Sequence, residues 1–220
     1  MLPILKQRPI PIYMFPTRSL YRMPVTPLKI CIEGNIGCGK TSVMRRINEK
    51  TRMPIFLEPV DEWAHWLNLF YEDPQRWGFT FNVEVLMSFN KWSNVGCTAV
   101  YERSPLACKS VFTEIQYKDG HLTYAERELF MKLFAELSWK QDVIIYLKCD
   151  PEICFQRMNQ RGRECESHVP LEYLKKVHDQ HEEMMGEAER KGIRVITVDA
   201  SKSSEEVLRD VLAHIDQLVH

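Results

Sequence analysis

The stretch CIEGNIGCGKTSVM, residues 31–44, constrains this chain more than any other feature of its sequence. It packs three glycines into Gly34–Gly39 and continues with Lys40 and Thr41, which matches the phosphate-binding pattern G-x-x-x-x-G-K-[ST]. Glycine lets the backbone turn tightly, so that successive N–H groups point at one anion. A following helix adds the positive end of its dipole. The pattern therefore predicts a phosphate-binding loop between a strand and a helix.

The expected ligand of this loop is a nucleotide. In such loops the lysine, here Lys40, reaches the β- and γ-phosphates, and the next hydroxyl, here Thr41, binds Mg²⁺. The alternative is a glycine-rich turn without a ligand, which fits less well between the runs LKICIE and TSVMRRINEK. The predicted nucleotide-binding residues of the loop are Gly34, Asn35, Ile36, Gly37, Cys38, Gly39, Lys40 and Thr41.

Length and charge exclude several classes of protein. A chain of 220 residues suits one domain with a full core. Its net charge of −1 gives no general attraction to nucleic acid or to acidic membranes, and no apolar run approaches the roughly 20 residues that span a bilayer. The seven cysteines form no C-x-x-C pair, which favours a reducing, cytoplasmic location. We therefore expect neither nucleic acid nor a membrane as a partner.

The first 29 residues differ in composition from the rest of the chain. They contain five Lys and Arg, six prolines and no Asp or Glu. A basic leader without acids is typical of a mitochondrial transit peptide, but the prolines would interrupt the amphipathic helix that such a peptide needs. We predict that residues 1–26 are a disordered extension and that residues 27–220 form a single domain. Mitochondrial targeting stays open as an alternative.

After this leader, short apolar runs alternate with longer helical stretches, which predicts an α/β fold. The five predicted buried strands are LKICIE, PIFLEP, TAVYER, DVIIYLK and RVITVD. Helices are predicted at about residues 40–50, 61–71, 75–95, 104–116, 123–140, 151–160, 170–191 and 203–219. The alternation indicates a parallel five-stranded sheet of the P-loop NTPase type with helices on both faces. Ligands of such sheets bind at the carboxyl ends of the strands.

Charged residues stand where two of these strands end. Glu58 follows the second strand and could take a proton from an attacking hydroxyl, or it could be an ordinary solvated acid. Glu102 and Arg103 end the third strand and could form a simple surface ion pair. At the mouth of a phosphate site, Glu102 would instead bind Mg²⁺ through water and Arg103 would hold the oxygen of the acceptor.

The segment FQRMNQRGRECES, residues 155–167, predicts an arginine-rich lid. It carries Arg157, Arg161 and Arg163 near the end of a helix. Basic residues there could simply satisfy the helix dipole. Because a phosphate loop is present, we favour a mobile segment that closes over the nucleotide, excludes water and stabilises the migrating phosphoryl group.

Residues 69–92, LFYEDPQRWGFTFNVEVLMSFNKW, are rich in aromatic side chains and Met. Most side chains in such stripes belong to the core. Tyr71 and Asn82 are polar exceptions that could face a planar ligand. An aromatic pocket with one amide suits a nucleobase better than a sugar phosphate.

With these motifs in place, the chain resembles the deoxyribonucleoside kinases, in the group of the insect enzyme and mitochondrial thymidine kinase. The motifs that carry the resemblance, in order, are IEGNIGCGKT, EPVDEW, YEDPQRW, ERSP, QRGR and VPLEYL. The resemblance runs from about residue 28 to the C-terminus. It implies transfer of the ATP γ-phosphate to the 5′-hydroxyl of a deoxynucleoside, with Mg²⁺ as cofactor, in nucleotide salvage. It also implies a homodimer.

The resemblance assigns roles to the charged residues. Glu58 corresponds to the carboxylate beside the 5′-hydroxyl and Arg103 to its neighbour. Tyr71 and Glu166 correspond to the pair that holds the sugar 3′-hydroxyl. Glu102 is a rival to Glu58 as proton acceptor, and we place Glu58 as the base and Glu102 on the metal side.

The remaining assignments concern the base, the lid and the adenine of ATP. Trp63 and Phe112 correspond to aromatic side chains that enclose the base. Arg161 and Arg163 correspond to arginines of the lid. The segment DASKSS, which starts at Asp199, corresponds to the loop near the adenine.

Asn82 departs from the family pattern, where relatives carry Gln. Asn is one methylene shorter, so the pocket is tighter, a water fills the gap, or base recognition is looser. The neighbouring pocket positions read Val85, Phe89 and Cys108. Relatives that favour purines and deoxycytidine place Arg and Asp at the last two, so the resemblance points to pyrimidines, thymidine first and deoxycytidine second.

Two other functions remain open. A nucleoside monophosphate kinase, such as thymidylate kinase, shares the loop and a lid, but its phosphate acceptor needs no general base, so EPVDEW and Glu166 argue against it. A non-catalytic structural member of the same fold is the other alternative, against which Lys40, Glu58 and Arg103 argue. A regulatory GTPase would need an N-K-x-D motif, which the chain lacks.

Overall fold

The structure, a computed structural model, describes residues 26–163, residue 166 and residues 169–219. Its centre is a sheet of five parallel strands in the order β2-β3-β1-β4-β5. The strands are β1 (Lys29–Gly34), β2 (Ile55–Phe56), β3 (Ala99–Glu102), β4 (Val143–Lys148) and β5 (Arg194–Asp199). The predicted parallel five-stranded sheet is confirmed. The predicted disordered extension lies outside the described residues, apart from its last residue.

Helices connect the strands, as parallel pairing requires. They are α1 (Lys40–Thr51), α2 (Val60–Glu72), α3 (Pro74–Asn90), α4 (Pro105–Ala107), α5 (Glu114–Lys118), α6 (Tyr124–Leu137), α7 (Pro151–Arg161), α8 (Leu171–Arg190) and α9 (Ser204–Val219). Among the described residues, no helix combines the length and the apolar character that crossing a membrane requires.

The alternation of side chains along β1 explains why both faces of the sheet are covered. Ile30 and Ile32 are fully buried against α1 and α9 on one face. Cys31 points to the other face, where it packs with α3 and α6 around Tyr101. Ile144 of β4 packs against α8 on that same side. Because successive side chains of a strand point to opposite faces, an almost wholly apolar strand needs cover on both sides.

The prediction of five buried strands is wrong for the two edges of the sheet. β2 comprises only Ile55 and Phe56, both half-buried, instead of the six residues of PIFLEP. β5 keeps its predicted length but exposes several side chains. Within the described part of the chain, both strands pair with one neighbour only, so each has a side without a strand to cover it there. Pro59, which lacks an N–H, cannot extend the pairing of β2.

The helix that follows β3 is less regular than predicted. Between α4 and α5 the chain forms one π-helical segment, Cys108–Thr113, within the stretch predicted as a continuous helix. Such wider turns are often found at functional sites, because they redirect side chains. The helix predicted to reach residue 95 ends at Asn90. Thr123 and Glu126 form a capping box at the start of α6.

Candidate active site

A cleft at the carboxyl ends of β1, β2 and β3 collects most of the residues singled out from the sequence. Parallel strands end at one edge of the sheet, so residues far apart in sequence meet there. The predicted residues that line this cleft are Ile36, Gly37, Gly39, Lys40, Thr41, Glu58, Trp63, Tyr71, Asn82, Glu102, Arg103, Phe112, Arg161, Arg163 and Glu166.

The loop between β1 and α1 has the geometry of an anion cradle. Gly37 and Gly39 adopt positive φ angles of 83° and 100°, which side chains other than glycine rarely tolerate. A Cβ at Gly37 would lie 2.3 Å from the carbonyl oxygen of Cys154, so only glycine fits. Within the described residues, no side chain caps the N-terminus of α1. Its first N–H groups are therefore available to a phosphate.

Lys40 and Thr41 begin α1 at the floor of the cleft. The Lys40 Nζ donates hydrogen bonds to the carbonyl oxygens of Asn35 at 2.9 Å and Gly34 at 3.2 Å, and the side chain is largely buried. The Thr41 hydroxyl donates to Glu102 Oε1 at 2.6 Å. A hydroxyl beside a carboxylate is an oxygen donor set that fits Mg²⁺. No group of three Asp, Glu, His or Cys side chains in the described part could hold a metal.

Glu58 and Arg103 form a mostly buried ion pair that lines the cleft. The Arg103 Nε lies 2.8 Å from Glu58 Oε1. One terminal nitrogen of Arg103 also donates to the carbonyl oxygen of Gly34 at 2.9 Å. Burial raises the pKa of the Glu58 carboxyl, although the neighbouring Arg103 guanidinium opposes that shift. A carboxylate of raised pKa is a stronger base than an exposed one.

Gly34, Asn35, Cys38 and Asp199 were also predicted to bind the nucleotide, but they are not among the residues that line this cleft. Asn35 Nδ2 donates to the carbonyl oxygen of Leu174 at 2.8 Å and so ties the loop to α8. Cys38 is buried in the core beneath the loop, and burial raises the pKa of its thiol. Asp199 is exposed at the end of β5, where it accepts a hydrogen bond from the backbone N–H of Ser201 at 3.0 Å.

A network of buried polar side chains behind Arg103 was missed by the sequence reasoning. The Ser104 hydroxyl donates to Glu33 Oε1 at 2.6 Å, and Glu33 Oε2 lies 4.0 Å from a terminal nitrogen of Arg103. His181 Nδ1 lies 2.7 Å from the carbonyl oxygen of Val177 and must donate to it. Its Nε2 therefore accepts from Arg103 at 3.4 Å, and burial lowers the pKa of the imidazole, which keeps it neutral.

Only part of this network leaves a signal in the sequence. A carboxylate in an otherwise apolar strand, such as Glu33 in KICIEG, indicates a buried polar contact. His181 lies in the middle of α8 with no motif around it.

The burial of Glu33 predicts a pH dependence of stability. Burial raises the pKa of Glu33 from 4.5 to about 7, although Arg103 and Ser104 lower it in part. Between these two values the folded protein binds a proton that the unfolded chain releases, so the stabilising effect is complete below about pH 4.5 and is lost as the pH rises through about 7. Relative to Glu33→Gln, the free energy of unfolding of the wild type should fall by about 3 kcal/mol over this window.

Denaturant unfolding of both proteins at a series of pH values measures this difference. Glu136→Gln, which removes an exposed carboxylate from α6, is the matched control for the loss of one negative charge. A wild type and a Glu33→Gln variant whose stabilities run parallel from about pH 5 to pH 7.5 would contradict the assigned pKa.

Aromatic side chains form another part of the wall of the cleft. Trp63 is nearly buried, and its ring meets Phe81 edge-on at 6.5 Å between centroids. Phe70 stacks on Phe81 at 5.5 Å. The guanidinium of Arg103 lies 4.8 Å from the centre of the Phe112 ring. This wall offers flat apolar surfaces of the kind that a planar ring system packs against.

Asn82 does not stand alone in this wall. Its Nδ2 donates to Gln116 Oε1 at 2.8 Å, and Gln116 Nε2 lies 3.4 Å from Asn82 Oδ1. Both side chains are almost fully buried, and both line the cleft. The sequence reasoning missed Gln116, since nothing in EIQYKDG marks it. Val85 and Cys108 also line the cleft, whereas Phe89 is not among its lining residues.

The arginines of the predicted lid pair with a residue expected to bind sugar. Arg161 lies 2.7 Å from one oxygen of Glu166, and Arg163 lies 3.5 Å from the same oxygen. Arg157 is different, because it donates to the carbonyl oxygen of Ala200 at 2.7 Å and so holds the loop after β5. The neighbours of Glu166 at 164, 165, 167 and 168 lie outside the described residues.

The chain is similar in sequence to known kinases. A family model described as deoxynucleoside kinase matches residues 30–220. The thymidine kinase of Ictalurid herpesvirus 1 is 32% identical over 200 residues, which cover 84% of each chain. The human mitochondrial thymidine kinase 2 is 33% identical over 168 residues, which cover 71% of this chain and 63% of the human one.

A solved structure shares the fold. The deoxyadenosine kinase of M. mycoides with bound dCTP superposes with a TM-score of 0.78 at 21% identity, and the match covers 86% of this chain and all of the other. At that identity the likeness concerns the fold alone. The fold is therefore of the P-loop NTPase type, as predicted.

Proposed function

Since the chain belongs to the deoxynucleoside kinase family, we propose that it transfers the γ-phosphate of ATP to the 5′-hydroxyl of a deoxynucleoside. The observation that carries the proposal is the position of the Glu58–Arg103 pair. It lies in one cleft with the phosphate loop and with the aromatic wall. A deoxynucleoside held against that wall would place its hydroxyl beside the Glu58 carboxylate and towards a phosphate bound in the loop.

The proposed phosphate site consists of the loop and the start of α1. Lys40 exchanges its contacts with the carbonyls of Gly34 and Asn35 for phosphate oxygens, and the open N–H groups of α1 add to the positive field. Bound Mg²⁺ would neutralise charge on the phosphates. Thr41 and Glu102 are the residues that would hold it, Glu102 through water.

Glu58 is the proposed proton acceptor. Its carboxylate is mostly buried and has a raised pKa, and Arg103 fixes its orientation through a contact of 2.8 Å. Glu102 is the weaker candidate, because its Oε1 is occupied by the hydroxyl of Thr41. Glu58 would take the proton of the 5′-hydroxyl as the new bond to phosphorus forms.

The residues of the predicted lid would contact both ATP and the deoxynucleoside. Arg161 and Arg163 are proposed to stabilise the transferring phosphoryl group, and Tyr71 and Glu166 to hold the 3′-hydroxyl of the sugar. The ion pairs of Glu166 with both arginines support a coupling of these two tasks. Asp199, at the end of β5, is proposed to lie near the adenine of ATP.

The proposed substrate is a pyrimidine deoxynucleoside, thymidine first and deoxycytidine second, for nucleotide salvage and DNA synthesis. Trp63 and Phe112 would enclose the base, and Val85 and Cys108 add small uncharged side chains to the same wall. By the resemblance, the absence of Arg at position 89 and of Asp at position 108 favours a pyrimidine base. The names of the relatives include thymidine and deoxyadenosine kinases, so the preferred base needs its own measurement.

Assembly and location are further parts of the proposal. We propose a homodimer, which the exposure of Met87 on α3 and Leu129 on α6 supports, since apolar side chains on neighbouring helices are frequent at interfaces. The proposed location is the cytoplasm, with mitochondria as the alternative that the acid-free N-terminal region keeps open.

A panel of the four deoxynucleosides and thymidine monophosphate, each with ATP and Mg²⁺, tests the function. We expect thymidine to be phosphorylated faster than deoxycytidine and the purine deoxynucleosides to be phosphorylated slowly. We expect no turnover of the monophosphate, because the proposed proton acceptor Glu58 serves a hydroxyl acceptor. Coupled detection of ADP gives the rates. Turnover of thymidine monophosphate alone would support a nucleoside monophosphate kinase, and no turnover of any substrate would support a non-catalytic member of the fold.

A further inference from the structure

We propose that Gln116 contacts the nucleobase and that Asn82 and Gln116 act together as one recognition unit of two amides. This inference rests on the proposed function and identifies a specificity residue for it. The feature that carries it is the reciprocal contact of two buried amides at the surface of the cleft.

The burial of both side chains limits what else they can do. Asn82 is 1% exposed and Gln116 is 3% exposed. Asn82 comes from α3 and Gln116 from α5, 34 residues later. An amide has two N–H donors and two acceptor lone pairs, so among the described residues the mutual contact leaves donors and acceptors of both amides without a partner. Buried polar groups are costly unless they are hydrogen-bonded, and a ligand in the cleft would supply the missing partners.

The helix α3 has a space into which the Gln116 amide fits. Gly78 lies one turn before Asn82, and a Cβ added to it would approach Gln116 Oε1 to 2.9 Å. Glycine in the interior of a helix costs roughly 0.5–1 kcal/mol relative to alanine, so its presence calls for a packing reason. Here the reason is space for the amide of Gln116, whose Oε1 accepts the hydrogen bond from Asn82.

The amide of Gln116 compensates for the shorter side chain of Asn82. A single asparagine is one methylene shorter than glutamine and therefore reaches less far towards a base. Gln116 supplies a second amide on a longer side chain. This amide is hydrogen-bonded to Asn82 and extends the polar surface within the aromatic wall. Nucleobases present donors and acceptors side by side on one edge, and neutral amides can match either kind. The proposed ligand of the pair is therefore the polar edge of a pyrimidine base.

The variant Gln116→Met tests this proposal, because Met is similar in size and lacks both polar groups. We expect kcat/KM for the preferred deoxynucleoside to fall roughly tenfold, chiefly through KM, because a base contact is lost and Asn82 is left without its partner. The KM for ATP should stay unchanged. The matched control is Gln180→Met, which removes a buried amide of α8 that pairs with Lys118 and Glu183 instead of lining the cleft.

Two further variants separate base recognition from a structural role. Gly78→Ala should displace the flexible end of Gln116 while both amides remain, and it should weaken binding in the same direction as Gln116→Met. In a double-mutant cycle with Asn82→Ala, residues that act as one unit should show non-additive losses. The double variant should then lose about as much as the more damaging single variant.

The decisive readout is the ratio of kcat/KM between the four bases, with the melting temperature measured in parallel. A changed ratio in Gln116→Met, and an unchanged one in Gln180→Met, would support the proposal. An equal loss for all four bases, or a lower melting temperature with an unchanged ratio, would assign the pair a purely structural role and overturn it. If the wild type itself phosphorylates no deoxynucleoside, the proposed function fails instead. Deoxynucleoside binding without ATP, measured by calorimetry, then still tests the role of Gln116.

Discussion

Replacement of Lys40 by alanine is expected to abolish phosphoryl transfer while the protein stays folded. The Nζ of Lys40 is a positive charge on the floor of the cleft, next to the open N-terminus of α1. Without it, no charged side chain of the loop, residues 34–40, neutralises the charge that develops between the β- and γ-phosphates. We expect kcat to fall by at least roughly 10³-fold, since charge stabilisation of the transition state is usually the largest single catalytic effect.

The same substitution leaves two carbonyl oxygens without their donor, so stability needs a separate measurement. Loss of the contacts to Gly34 and Asn35 should destabilise the fold by about 1–3 kcal/mol. Lys40→Met, whose side chain is one atom shorter but fills most of the same space, avoids the additional loss of packing. Lys50→Ala, at the exposed end of the same helix, is the matched control. A folded Lys40→Ala protein with near wild-type turnover would contradict the proposed role of the loop.

Glu58→Gln is expected to lower kcat by roughly 10²–10⁴-fold, the usual contribution of a general base. The amide keeps the shape of the carboxylate but cannot accept the proton of the 5′-hydroxyl. The KM for the deoxynucleoside should change little, because the aromatic wall and Asn82 are untouched. Steady-state kinetics over a range of pH measure both quantities. A Glu58→Gln variant with an unchanged kcat would remove this residue from the chemical step.

Glu102→Gln is the matched comparison, since it alters a second carboxylate in the same cleft. The Oε1 of Glu102 accepts a hydrogen bond from the Thr41 hydroxyl at 2.6 Å, and these two residues form the proposed Mg²⁺ site. We therefore expect Glu102→Gln to need a higher Mg²⁺ concentration and to recover part of its rate at high Mg²⁺. Recovery by Mg²⁺ is not expected for Glu58→Gln. If Glu102→Gln shows the large loss in kcat at all Mg²⁺ concentrations and Glu58→Gln is mild, the two assignments must be exchanged.

Much of the fold and of the phosphate site follows from local patterns in the sequence. The glycines that precede Lys40 encode a turn whose conformation depends on a few neighbouring residues. Short apolar runs alternating with helices encode a parallel sheet, and the ends of its strands bring Glu58, Glu102 and Arg103 to one edge. These inferences succeed because turn geometry and strand direction constrain positions before any side chain packs.

The sequence was less informative where an outcome depends on neighbours in space. The six residues PIFLEP look like a full strand, yet β2 has two residues, because its position at the edge of the sheet leaves one side without a pairing strand. Glu166 was expected to bind sugar, and its pairing with Arg161 was not predicted. Strand length at an edge and the partner of a charged side chain depend on which elements come to lie beside them.

The polar contacts inside the cleft are the clearest case. Gln116 meets Asn82 across 34 residues, and His181 meets Arg103 across 78. Neither partner carries a motif, because the sequence pattern of a helix specifies which face is apolar but not which polar side chain of another helix it will meet. The sequence thus identified the class of chemistry through its loop and strand ends. The choice of partners for the buried amides, the histidine and Glu33 arose only from the packing of α3, α5 and α8 around the sheet, since hydrogen bonds between distant residues depend on distances that only the folded chain establishes.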